Sequence, residues 1–121
     1  MDRNTHDQIA AAIAAHGKWK ARLKSAIGQG SSEFLPATVR RDNACDFGKW
    51  LHTADPVTRS SPHYPQAVAL HAKFHESAAE VLALALDGKK DEAEAKVGIG
   101  SDFAHTSATL TREMTAWLAA A

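Results

Sequence analysis

The stretch Cys45-Asp46-Phe47-Gly48-Lys49-Trp50-Leu51 sets the chain's single cysteine beside bulky apolar side chains suited to burial. With no second cysteine, no internal disulfide forms, so the thiol is structural, reactive or a ligand. Two possible companions lie outward from it. His16 falls within an early apolar pattern, and His71 and His75 stand one helical turn apart in a later one. One thiolate and three imidazoles together suffice for a metal site.

The patterns around these residues are helical. Alanine is abundant, aromatic and β-branched residues are sparse, and no strand-like alternation persists, which predicts an all-α fold. Ile9, Ile13, His16, Leu23 and Ile27 share one stripe, completed by Trp19 or Lys20, and predict a first helix from about Asn4 to Ile27. Asn4 or Thr5 can cap it, and Gly28-Gln29-Gly30-Ser31-Ser32 ends it. Gly17, directly after the inward His16, costs about 1 kcal/mol relative to Ala inside a helix, which suggests a close neighbour there.

A connector through Pro36 leads to a short second helix from about Asp42 to Ala54, with Asp42 or Asn43 as cap and Asp55-Pro56 as stop. Gly48, one turn after Cys45, leaves room for an adjacent helix. Asp55 to Pro65 holds three of the four prolines and reads as a loop with room for one turn of 3₁₀ helix. The third helix, about Pro65 to Leu86, carries Val68, His71, His75, Ala78, Leu82 and Ala85 on its inner stripe. A fourth runs from about Lys90 to Ala120 with Phe103, Ser107, Leu110, Met114 and Trp117 inward, weakened midway by Gly98 and Gly100. The expected architecture is an antiparallel four-helix bundle with a short second helix and a proline-rich loop before the third, a single domain over residues 1–121.

Composition narrows the function classes. Fourteen basic and fourteen acidic side chains give zero formal net charge, so no overall field draws the chain to nucleic acid or to an anionic membrane. The basic run Lys18-Trp19-Lys20-Ala21-Arg22-Leu23-Lys24 reads as the solvated side of an amphipathic helix. No stretch approaches the roughly 20 apolar residues of a membrane span, and the N-terminus has no signal-peptide pattern. Cysteine usage suits a reducing compartment, and the expected location is the cytoplasm.

Cys45-Asp46-Phe47-Gly48-Lys49-Trp50-Leu51 resembles the C-x-F-G-x-W-L signature of the chemoreceptor zinc-binding domain family. That family pairs the signature with a histidine in the first helix, here His16, and with H-x-x-x-H in a later helix, here His71-Ala72-Lys73-Phe74-His75. The resemblance covers most of the chain. It implies one Zn²⁺ held by His16, Cys45, His71 and His75, in a bacterial sensory module that forms homodimers. Such modules are attached to chemoreceptor signalling regions or to diguanylate cyclases, or stand alone.

The chemistry agrees, since zinc takes four thiolate and imidazole ligands in a tetrahedron. With only one thiolate, loss of Cys45 to protonation or oxidation leaves three histidines and an open position, which suits regulation. His6, His52, His63 and His105 read as surface or partner-contact residues, with His52 the substitute ligand. Phe47, Trp50 and Leu51 read as packing that fixes Cys45, and Trp19 and Trp117 as core or dimer interface. Two rival classes use related parts. A zinc hydrolase needs an open coordination position, which Cys45 fills, and a general base, and Glu76, which follows His75, points away from both His71 and His75. A hemerythrin-like or di-iron bundle needs inward carboxylates, and the acids here fall mostly outside the stripes. The expected protein is therefore a sensor, not an enzyme.

Overall fold

The computed structural model describes residues 2–120, and the described secondary structure is helical throughout, without a strand. The helices are α1 (Arg3–Gly17), α2 (Trp19–Gln29), α3 (Pro36–Val39), α4 (Asp46–His52), α5 (Pro56–Arg59), α6 (His63–Leu86), α7 (Lys90–Val97) and α8 (Asp102–Ala119). The 24-residue α6 is the centre of the packing. Helices α2, α3, α5, α7 and α8 lie against it, while α1 packs on α8 and α4.

Two of the expected long helices are interrupted. The first divides at Lys18, where the backbone N–H turns to Ala15 O at 3.3 Å, and the helical ladder resumes with Arg22 N to Lys18 O at 3.2 Å. Gly17 supplies the weak point. A Cβ built on Gly17 meets nothing within 4 Å, so the close neighbour expected there is absent and the glycine serves the break. Asp2, rather than Asn4 or Thr5, caps α1 by accepting from Thr5 N at 2.7 Å.

The last helix divides between Val97 and Asp102. Gly98 is extended, Gly100 adopts a left-handed φ of 84°, and Ser101 caps α8 by accepting from Ala104 N at 3.1 Å. Only glycine enters that φ region without a Cβ penalty, which is why the break falls there. In the proline-rich loop, the expected 3₁₀ turn is a four-residue α-helical turn capped by Asp55, with Pro56 at its first position.

The core is apolar, with Ile9, Leu23, Ile27, Phe74, Leu82, Leu110 and Met114 almost completely covered. Trp19 and Trp117 belong to it. In α8 the inward polar position is the buried Thr106 rather than Ser107, which is half-buried. Against this background the buried imidazoles of His16, His71 and His75 stand out. Polar rings in an apolar core require partners, because an unsatisfied buried polar group costs about 1–3 kcal/mol.

Candidate metal centre

The second helix starts later than its sequence suggests. Cys45 is not inside α4 but at its N-cap, with extended backbone (φ −87°, ψ 162°), and Gly48 N–H donates to its Sγ at 3.4 Å. The thiol is thereby held at the mouth of a helix, facing α6. Gly48 explains how the chain can pass so close: a Cβ there would fall on the Asp42 carbonyl and come within 3.1 Å of His71 Cε1. The obstacle is the preceding turn as well as the facing helix.

Two of the imidazoles are oriented by main-chain carbonyls. His16 Nδ1–H donates to Ala12 O, and His75 Nδ1–H donates to Val39 O, both at 2.8 Å. A carbonyl only accepts, so Nδ1 carries the proton in each ring and Nε2 keeps its lone pair. For His75 that lone pair meets His71 Nε2 at 3.0 Å. Cys45 Sγ lies 3.2 Å from His71 Nε2 and 3.5 Å from His75 Nε2. Phe47 and Phe74 stand edge-on to these rings, with centroids 5.2–5.8 Å away, and confine them.

One ligand atom from each of His16, Cys45, His71 and His75 lies within 4.8 Å of the other three. A tetrahedral zinc ion with bonds of about 2.3 Å to sulfur and about 2.0–2.1 Å to nitrogen sets edges of roughly 3.3–3.6 Å between donors. The spacings of 3.0, 3.2 and 3.5 Å around Cys45, His71 and His75 run from slightly below that range into it. The donor set thus fits the ion in chemistry and in size. Among the described residues this is the one such group of donors, and it contains no carboxylate. That composition does not suit a bridged di-iron centre.

Burial tunes the same groups. It lowers the His16 pKa to about 4 and lowers those of His71 and His75 as well, with neighbouring imidazole charge adding to the effect at His16 and His71. All three rings are therefore neutral at physiological pH, the state a metal requires. Burial raises the Cys45 pKa, which favours the thiol when no cation is near. A bound divalent cation reverses that preference and holds the thiolate.

The model of the family described as "Chemoreceptor zinc-binding domain" matches residues 16–82, a segment that begins at His16 and encloses Cys45, His71 and His75. The chain belongs to the chemoreceptor zinc-binding domain family. No curated protein and no solved structure matches it. As a chemoreceptor zinc-binding domain it has zinc as its cofactor, and its cluster of three histidines and one cysteine is positioned to hold a metal ion.

Residues outside the donor set of this zinc-binding domain are placed differently from expectation. His52 stands outside the donor group, with its Nε2 3.4 Å from Asp42 Oδ1. His63 is not a free surface residue: its Nδ1 pairs with Glu113 Oε1 at 2.9 Å, and both side chains are largely covered. His6 and His105 are exposed. Trp50 stacks on Phe47 at 5.8 Å and meets Trp117 of α8 at 5.7 Å, while Tyr64 O–H donates to Leu51 O at 2.6 Å. The signature residues that follow Cys45 therefore join α4 to both α6 and α8. No local pattern announces the partners Tyr64 and Trp117, which lie 13 and 67 positions beyond theirs in the sequence.

Proposed function

We propose that this domain is a regulatory zinc module of bacterial signalling, with the ion held by Nε2 of His16, His71 and His75 and by Sγ of Cys45. The observation that carries the reading is the convergence of these four donors, from three separate stretches of chain, against a mostly apolar core. Bound zinc supplies a tetrahedral cross-link between them. His71 and His75 form the fixed part, because they share one face of the long α6 and His75 is braced by Val39 O. Cys45 is the movable part, because it lies just before a helix of only seven residues and serves as its N-cap.

Release of Cys45, by protonation or oxidation, frees the start of α4. The change passes through Trp50 to Trp117 and through Leu51 to Tyr64, and so reaches α8 and the beginning of α6. We assign to the chain a single antiparallel four-helix unit, α1–α2, α4, α6 and α7–α8, over residues 1–121. It works in the cytoplasm as a homodimer and transmits the state of Cys45 to a chemoreceptor signalling region or a diguanylate cyclase.

Cobalt(II) substitution tests the ligand set. The parent is expected to give the intense visible bands of a tetrahedral site and a near-ultraviolet thiolate-to-cobalt band, with the latter lost in Cys45→Ser. A parent spectrum of weak octahedral bands, or a thiolate band that survives in Cys45→Ser, contradicts the assignment.

A further inference from the structure

Beside the donor cluster lies a pocket of about 440 Å³, bounded by α1, α2 and the segment from Phe34 to Phe47. A zinc ion does not account for it: the volume is that of roughly a dozen or more waters at about 30 Å³ each, and the lining extends well past the ligands. Its size is within the range of small-molecule sites, about 300–1,000 Å³. The wall is mostly apolar, with Ala12, Trp19, Phe34, Val39 and Phe47 contributing.

Charge at the pocket is lopsided. Arg22 and Arg41 line it, are exposed, and make no ion pair among the described residues, whereas Asp46 is the only carboxylate of the lining. The Arg22 guanidinium lies 5.1 Å from the ring centroids of both Trp19 and Phe34. Held on two aromatic faces, it keeps its in-plane N–H donors available for a planar acceptor. His16, Cys45 and His75 form another part of the same lining, so an occupant lies against the donor cluster.

We propose that this pocket binds a small monocarboxylate with an aromatic or branched alkyl body, its carboxylate on Arg22 and Arg41 and its body against Trp19, Phe34 and Val39. The site is built from the chain's own side chains and extends beyond the zinc reading. Occupancy covers an approach to Cys45, so a bound acid slows loss of zinc to a chelator; this consequence alone rests on the zinc assignment.

The test is a heteronuclear NMR titration of the zinc-loaded protein with 3-phenylpropionate and with its neutral amide, the zinc content of each sample being measured. Saturable shifts at Trp19, Arg22 and Ala15 are expected. The acid should bind about tenfold more tightly than the amide, and Arg22→Gln with Arg41→Gln should remove that advantage. Ala15→Trp, which fills the opening from an exposed position, should abolish binding while one zinc per chain is retained. Equal affinity for acid and amide, shifts that map elsewhere, or undiminished binding to Ala15→Trp overturns the proposal. So does concentration dependence of the same signals without ligand, which would show a second copy of the chain in the pocket. A protein that takes up no zinc on reconstitution yet binds the acid as described supports the pocket, and its failure to take up zinc counts against the zinc reading only.

Discussion

Cys45 Sγ lies 3.2 Å from His71 Nε2 across 26 positions of sequence, and the same sulfur accepts the N–H of Gly48 at the start of α4. One atom is therefore both a metal donor and a helix cap. These roles separate by substitution. In the metal-free protein, Cys45→Ser keeps a capping acceptor and is expected to unfold within about 0.5 kcal/mol of the parent, whereas Cys45→Ala loses the cap and about 1 kcal/mol. Both weaken zinc binding. Urea unfolding of the chelated proteins measures the first effect, and competition with a chromophoric chelator the second. Equal stability of the Ser and Ala variants contradicts the capping role.

Two glycines should respond in opposite directions. Ala at Gly17 meets nothing within 4 Å and improves helix propensity, so Gly17→Ala is expected to stabilise by about 0.5–1 kcal/mol. Ala at Gly48 collides with the Asp42 carbonyl and presses on His71. Gly48→Ala is expected to destabilise by about 2 kcal/mol or more and to weaken zinc binding. Chemical denaturation with and without zinc checks both. A neutral Gly48→Ala removes the argument for that residue in the signature.

Stability of the metal-free protein should fall with pH in a defined window. Burial lowers the His16 pKa to about 4 in the folded chain, against the usual value near 6.5 when unfolded, and shifts His71 and His75 in the same direction. Between these values the unfolded state binds protons that the folded state does not. Stability is thus fully present above about pH 6.5 and declines toward pH 4, by on the order of 3 kcal/mol for His16 alone. Urea midpoints from pH 8 to 4 measure this, and His16→Phe should flatten the profile. An unchanged slope in that variant contradicts the assignment to His16.

The contact between Trp50 and Trp117, at 5.7 Å between ring centroids, joins the signature helix to α8. A double-mutant cycle with Trp50→Leu and Trp117→Leu is expected to give a coupling of about 0.5–1.5 kcal/mol. If the contact carries the state of Cys45 outward, the indole NMR signals of Trp117 should also differ between zinc-bound and chelated protein, and less so in Trp50→Leu. Additive energies and a Trp117 signal indifferent to zinc contradict that route.

What the sequence made legible was what depends on local spacing. His71 and His75 share a face because they are four apart on a helix, and His16 falls on an apolar stripe, so their inward placement follows from periodicity alone. The resemblance then joined them to Cys45, which no spacing connects to α6. Boundaries were less legible. Cys45 reads as a residue inside a helix, yet it caps one, because the Asp42 carbonyl occupies the space that Gly48 leaves open. Gly17 reads as a site of close approach and is a break. The pairing of His63 with Glu113 spans 50 positions and has no local signal, since only the packing of α6 on α8 brings the two together.

The measurement that bears most directly on the central claim is zinc content by mass spectrometry, on protein purified without a metal-binding tag and carried through stepwise chelation, beside Cys45→Ala and His75→Ala. About one zinc per chain is expected in the parent, retained at chelator concentrations that strip both variants. No zinc after reconstitution, or equal retention by the parent and both variants, would contradict the account of His16, Cys45, His71 and His75 as one metal centre.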